Sequence, residues 1–408
     1  MKQERPNSLM VWRKGLLGIG AIMMLVSSQA LIADAQDRRQ AKRIHDRLAG
    51  TPPSPAVLND MEQTILSGGG AYQAALDVIE GPGIYQSSAK NFYNVTVKNM
   101  TTPWTNEAQT VFAPLNDYTA TVIGMIRDDI DFRRVLWDDI IYVGASNLGL
   151  PTYSPDNNDH YEYMERLDID LSDSDNLVRD SQAPWTGLPA NAAAGVLTTR
   201  AAARAFFIDG TNRAMFRFTL MNHLCTDLEP IKDISRSPDR VQQDVSRSPG
   251  GDSRLFMNNC VGCHAGMDPL NQAFAYYNYE YPDGDEDGGR LVYTPGSVQG
   301  KFLINANNFK YGYITQDDSW ENYWRVGPNS LLGWSSSLPG AGNGASSMGQ
   351  ELANTEAFAS CQVKKVFKTV CFREPSLSEL STVTGQFVSS GYSMKEVFAR
   401  TAVACMGI

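Results

Sequence analysis

Two cysteines and a histidine lie close together in the segment Cys260-Val261-Gly262-Cys263-His264. On a helix, the three side chains fall at positions i, i+3 and i+4 and therefore share one face. Two thiols at this spacing can form thioethers with the two vinyl groups of one porphyrin, and the adjacent imidazole can then ligate its iron. The spacing predicts covalent attachment of one haem c, with Cys260 and Cys263 as anchors and His264 as the proximal iron ligand.

Three other uses of the motif are a thioredoxin-like dithiol, a structural disulfide and half of a zinc site. A redox dithiol is expected beside a βαβ pattern, and the sequence around the motif has none. A zinc site needs a second pair of ligands at similar spacing. The chain has no other close pair of cysteines or histidines.

The second axial position of the iron would decide the chemistry of the haem. Met267 follows His264 too closely to reach the opposite face of the ring. Met348 is the expected distal ligand, because it lies well downstream in a Gly/Ser-rich stretch, 340–349, that the sequence places just before a helix. The alternative is His223, which would lower the reduction potential and clamp the two halves of the chain together. An open position would favour catalysis.

The motif is followed by Met267-Asp268-Pro269-Leu270. A proline at this point suits a chain that turns out of the helix and passes beneath the haem edge. We expect the carbonyl of Pro269, or of a neighbour, to accept the proton on the second ring nitrogen of His264 and to make that imidazole more basic.

The N-terminus predicts export. Arg13 and Lys14 precede an apolar run over 15–26, and Ala33-Asp34-Ala35 matches a cleavage site, so residues 1–35 read as a signal peptide. The alternative is an uncleaved membrane anchor. No later stretch is apolar and long enough to span a bilayer, and we expect a periplasmic or secreted protein.

The net charge of the chain is −10, and residues 1–35 carry +2, which leaves about −12 for the remainder. An acidic surface argues against nucleic acid or an anionic membrane as a partner. It favours a redox protein partner with a basic patch.

Four cysteines remain outside the motif, namely Cys225, Cys361, Cys371 and Cys405. An even number in an oxidising compartment predicts two disulfides. Cys361 and Cys371 are expected on one helix, about 15 Å apart, which excludes a bond between them. We favour Cys371–Cys405, which would tie together two neighbouring C-terminal helices; free buried thiols are the alternative.

The pattern of apolar residues predicts a mainly α fold. We expect a helical N-terminal domain over 36–234, a linker over 235–252 and a cytochrome c-like helical haem domain over 253–408. The linker contains Ser-Arg-Ser-Pro twice and ends in Gly-Gly; it could equally be a long loop within one domain. A small hairpin of 291–293 with 302–304 is expected as an insertion in the haem domain.

An acidic segment just before that hairpin resembles a calcium loop. Asp283, Asp285 and Asp287 match its first half, D-x-D-x-D-G, but Thr294 stands where a bidentate glutamate is needed. A polar turn is the main expectation, and calcium at these three carboxylates is the alternative.

The sequence also resembles a known family. The stretches GVLTTRAAARAFFIDGTNRAMFRFTLMNHLC and CVGCHAGMDPLNQAFAYYNYE flank a proline-containing gap. They resemble the large single-haem cytochrome c-like proteins first noted as expanded families in planctomycetes, in which C-x-x-C-H is followed by Asp-Pro. AKRIHDRLAGTPPS and DFRRVLWDDIIYV are similar to that family's upstream helical region, and AFASCQVKKVFKTVCFREPS to its C-terminal helix. The acidic segment at 283–288 and the tyrosine-rich loop near 153–163 depart from its pattern.

The resemblance implies an exported haem-binding protein with a redox role, and it carries over only Cys260, Cys263 and His264 as functional positions. The leading hypothesis is therefore a monohaem c-type cytochrome that passes single electrons to or from a partner. One alternative is a haem enzyme, peroxidase- or oxygenase-like, with an open distal site, although the chain offers no clear distal His/Arg pair. Another is a cell-surface binding protein that carries a haem relay.

Overall fold

The computed structural model describes residues 36–67, 70–207, 210–242, 253–281, 288–308 and 311–407. Their secondary structure is mainly helical, with three antiparallel two-stranded sheets. This confirms the predicted fold class. The signal-peptide prediction, the greater part of the predicted linker and the calcium alternative at Asp283, Asp285 and Asp287 all fall outside the described residues.

The N-terminal region consists of helices that begin and end at polar or glycine-containing turns. For example, the side chain of Ser54 caps the helix Pro55–Leu66 by accepting a hydrogen bond from the Val57 amide, and Pro55 occupies the first position of this helix. The helices cover 36–49, Pro55–Leu66, Gly70–Glu80, Gln86–Asn91 continued by a π-helical segment Phe92–Val97 and by Lys98–Thr101, and Asp117–Arg127.

The segment after Asp117–Arg127 differs from the expected helical structure. Phe132–Leu136 is a short 3-10 helix, and Ile141–Gly144 is a strand that pairs antiparallel with Leu177–Asp180. Its β-branched and aromatic residues favour a strand. Gly124 on the preceding helix makes room for this strand, because a Cβ there would collide with the Tyr142 ring.

Several short helices lie between the strand Ile141–Gly144 and the motif. Short helices cover Asp159–Arg166 and Ala183–Thr186, followed by Arg200–Phe206 and Arg213–Thr219, the last continued by a π-helical segment Leu220–Leu224. The predicted hairpin partner is wrong: Arg290–Tyr293 pairs with Tyr277–Glu280, whereas 302 and 304 belong to helical turns. The third sheet pairs Ser319–Glu321 with Ala341–Asn343.

The C-terminal helices are Gly344–Ala353, Glu356–Val366 with a π-helical end Phe367–Cys371, Leu377–Ser389 and Met394–Ala404. Ser376 and Glu379 form a capping box at the start of Leu377–Ser389. The side chain of Thr355 caps Glu356–Val366. The structure contains the favoured disulfide Cys371–Cys405 and a second one, Cys225–Cys361, with Cα–Cα distances of 5.7 and 5.2 Å.

The main hydrophobic core includes residues from Ala41 to Ala402 and draws on both sides of the predicted linker. For example, the Phe216 ring packs at 5.8 Å from the Trp324 ring. The domain boundary at 235–252 stays a prediction. No helix in the described part of the chain is both long enough and apolar enough to cross a bilayer.

Candidate functional site

The cysteine–histidine motif lies within one helical run, 253–271, which we call the motif helix. It consists of an α-helical turn Ser253–Leu255, a π-helical segment Phe256–Cys260 and an α-helix Val261–Asn271. Cys260 therefore lies where the π-helical segment passes into the α-helix, a kind of irregularity that is frequent at functional sites. The predicted exit from the helix at Pro269 is wrong, because the helix continues through it to Asn271.

The two motif thiols differ from the other four sulfurs. Cys260 and Cys263 are free and partly exposed, whereas the other four cysteines form disulfides. The Cys263 sulfur lies 3.7 Å from the Leu228 carbonyl oxygen, and burial raises the pKa of its thiol. Cys260 packs against a small apolar cluster that is separate from the main core and consists of Val241, Phe256, Val261 and Ala265.

The imidazole of His264 is oriented by a carboxylate. Its Nδ1 lies 3.2 and 3.3 Å from the two carboxylate oxygens of Asp268, one helical turn further on. In the part of the chain that the structure describes, Nε2 has no hydrogen-bond partner. The expected backbone acceptor near Pro269 is thus replaced by the Asp268 side chain, which can hold the proton on Nδ1 and leave the Nε2 lone pair available to a metal.

Asp268 is held in turn by a residue from the other half of the chain. Its carboxylate is fully buried and accepts two hydrogen bonds from Arg213, from Nε at 2.8 Å and from Nη2 at 2.7 Å. The backbone N–H of Gln242 donates a third, longer one at 3.4 Å. Burial by itself raises the pKa of Asp268, but the Arg213 guanidinium and the His264 imidazole hold it well below its ordinary value.

The opposite face of the motif helix packs against the protein interior. A Cβ on Gly266 would collide with the indole ring of Trp324, which is fully buried. Glycine at this position therefore lets the indole lie directly against the helix. This close packing fixes the helix while the side of Cys263 and His264 stays partly exposed.

The apolar surroundings of the exposed side are suited to a flat hydrophobic ring. Leu255 and Met257 are exposed on the motif helix itself, and Ile234 is 80% exposed. A Cβ on Gly262 would lie 3.4 Å from the Ile234 side chain, so that residue is next to the motif. Together with two free thiols and an available Nε2, these residues fit a covalently bound haem. Among the described residues, no group of three or more His, Cys, Asp or Glu side chains is arranged to hold a metal ion by itself.

Met348, the expected distal ligand, lies inside the helix Gly344–Ala353 and not before it. It is fully buried and belongs to the main core, whereas Cys260 borders the smaller cluster. The assignment of Met348 to the iron stays a prediction.

His223 lies in an aromatic site within the main core. Its Nε2 is 2.7 Å from the Tyr118 hydroxyl, and its ring contacts those of Trp104 and Phe358. Burial, and then the charge of Lys365, lowers its pKa to about 3. Its Nδ1 has no hydrogen-bond partner among the described residues. As an iron ligand, His223 would have to use Nδ1 or give up the bond to Tyr118, and this alternative also stays a prediction.

Sequence reasoning missed Arg213 and Gln242 and misjudged the role of Asp268. The i, i+4 spacing of His264 and Asp268 was a signal that could have identified that pair. Arg213 precedes His264 by 51 positions, and no local pattern connects the two. Comparison of this chain with models of known protein families, with curated proteins and with solved structures finds no match.

Proposed function

We propose that this chain is an exported monohaem c-type cytochrome that transfers single electrons to or from a redox protein. The observation that carries the proposal is the row His264–Asp268–Arg213 beside two free thiols spaced i, i+3. When bound, the haem would supply an iron centre that gains and loses one electron. Cys260 and Cys263 would hold it as thioethers, and Nε2 of His264 would ligate its iron.

Asp268 and Arg213 have separate tasks in this proposal. The Asp268 carboxylate fixes the proton on Nδ1 of His264, sets the orientation of the ring and increases the basicity of Nε2, which favours the oxidised state. The Arg213 guanidinium compensates the buried negative charge, so that Asp268 stays ionised in an apolar environment. The proposed haem site therefore contains residues from both sides of 235–252.

The thiol chemistry favours haem attachment over a redox dithiol. Reactive dithiols carry one cysteine that is stabilised as thiolate by a helix N-terminus or a nearby cation. Cys260 and Cys263 instead lie inside the helical run 253–271 and not at its N-terminus. Four paired cysteines support an oxidising compartment, and the acidic chain supports a partner with a basic patch. The sequence resemblance to planctomycete-type haem proteins agrees with this assignment.

The first experiment is co-expression with a haem-maturation system, followed by acid–acetone extraction and optical spectra of both oxidation states. We expect haem that resists extraction and a sharp reduced α band. Changing both Cys260 and Cys263 to serine should abolish retention. Cys371→Ser, which removes a thiol in a disulfide, is the matched control and should retain haem. Extractable haem in the unmodified chain would refute covalent attachment.

The distal ligand is tested by two further variants. A weak far-red band of the oxidised protein that disappears in Met348→Ala would identify methionine as the ligand. Its persistence there would refute Met348, and a change in His223→Ala alone would assign His223.

One observation favours a second candidate, a peroxide-reducing haem enzyme. A carboxylate that holds the proximal imidazole increases electron donation to the iron, and such donation favours O–O cleavage when the distal position is open. A high-spin spectrum with rapid change on addition of peroxide would select this candidate, and a six-coordinate low-spin spectrum without such change would exclude it.

A further inference from the structure

A cavity of about 520 Å³ lies beside the disulfide Cys225–Cys361. Its lining residues include Lys364, Lys365, Lys368, Thr226 and Asp227. The disulfide joins the residue that precedes Thr226 to the helix that carries two of the lysines, with Cα atoms 5.2 Å apart. It therefore fixes these two segments relative to each other.

The acidic residues that line this cavity are already paired. Asp227 accepts two hydrogen bonds from Arg217, both at 2.7 Å, and Glu374 forms an ion pair with Lys368 at 2.8 Å. Neither Lys364 nor Lys365 forms an ion pair with any residue that the structure describes. Two lysines without an ion-pair partner among the described residues thus line one cavity in a chain whose net charge is −10.

Lys365 is the more unusual of the two. It is partly buried, and its Nζ lies 4.6 Å from the centre of the Trp104 ring. Burial, and then the charge of Lys368, lowers its pKa to about 7. A lysine that is removed from water without an acidic partner is uncommon in protein interiors, because the lost hydration of the ammonium group is not replaced. A bound anion would supply the missing negative charge and so compensate for the lost hydration.

We propose that this cavity binds a small oxyanion, a phosphate or a carboxylate, with Lys365 as its central contact and Lys364 as a second. Lysines serve as point charges for such groups. Thr226 also lines the cavity. The inference is independent of the haem, because none of its residues belongs to the motif helix.

Isothermal titration of residues 36–408 with inorganic phosphate, and separately with succinate, tests the proposal and distinguishes the two chemical sources. Lys365→Met keeps the stem against Trp104 and removes the charge. It should weaken binding of the preferred anion by about ten- to a hundredfold, the usual range for one charge-assisted hydrogen bond. Lys364→Gln should weaken it less. Lys42→Gln, a change at an exposed lysine paired with Asp46, is the matched control and should change nothing.

A second readout needs no variant. Acylation at pH 8 followed by mass spectrometry should modify Lys365 ahead of Lys42, since a lysine of lowered pKa has more free amine. The bound anion should protect Lys365 and leave Lys42 unprotected. Binding of neither anion, equal binding in Lys365→Met, or modification of Lys365 that either anion leaves unchanged would each overturn the proposal.

Discussion

The buried pair of Arg213 and Asp268 leads to a quantitative prediction about stability. Asp268→Asn preserves the shape of the side chain but removes its charge, so the guanidinium of Arg213, only 17% exposed, would lose its counterion. Removal of one partner from a buried ion pair costs about 3–5 kcal/mol, because the remaining charge is desolvated and uncompensated. We therefore expect the free energy of unfolding to fall by about 3–5 kcal/mol.

The chain contains a matched control for this prediction. Arg217 and Asp227 form a pair with the same two-hydrogen-bond geometry, both at 2.7 Å, but their side chains are 44% and 35% exposed. Asp227→Asn should cost under about 1 kcal/mol, because water compensates an exposed charge.

Urea denaturation at pH 7, with both disulfides intact and haem absent, measures the two changes under the same conditions. If Asp268→Asn lowered the free energy of unfolding no more than Asp227→Asn does, burial would not strengthen the pair of Arg213 and Asp268. The account of Asp268 as a charged and firmly held partner of His264 would then be refuted.

Three other predictions concern the disulfides, the packing of the motif helix and the titration of His223. Cys225→Ser opens a disulfide between residues 136 apart and should lower the free energy of unfolding by about 5 kcal/mol. Cys371→Ser, whose disulfide spans 34 residues, should lower it by about 4 kcal/mol. Equal losses in denaturation experiments on the two variants, or a larger loss in Cys371→Ser, would contradict this. Gly266→Ala should cost about 1–3 kcal/mol through collision with the buried indole, whereas Gly385→Ala, on an exposed helix face with open space, should gain up to about 1 kcal/mol; thermal unfolding compares them. Because burial lowers the pKa of His223 to about 3, the unfolded chain takes up this proton first as the pH falls from about 6.5, and stability should decrease by about 1.4 kcal/mol per pH unit. His223→Phe should reduce the measured slope by this amount, while the contributions of His45 and His160, whose pKa values burial also lowers, remain. An unchanged slope would refute this account.

Local sequence patterns predicted the elements whose causes are local. The apolar periodicity predicted a mainly helical chain, including its C-terminal helices, because a helical pattern depends on residues that are close together in the sequence. The count of cysteines predicted two disulfides, and helix length excluded Cys361–Cys371. Cys371–Cys405 was favoured because it would join two neighbouring helices. The predictions of a helix at 131–144 and of the hairpin partner were wrong, because a strand needs a partner whose position the strand itself does not encode.

The sequence by itself determined the motif Cys260, Cys263 and His264, because its chemistry depends only on residue type and spacing. It did not determine what holds that motif. Only the tertiary structure decided that Asp268 faces His264 and that Arg213, from a helix far earlier in the chain, neutralises Asp268. It also decided that Lys365 lies beside a cavity instead of in solvent. Burial and charge pairing arise between distant segments packed together, and these interactions are settled only when the whole core has formed.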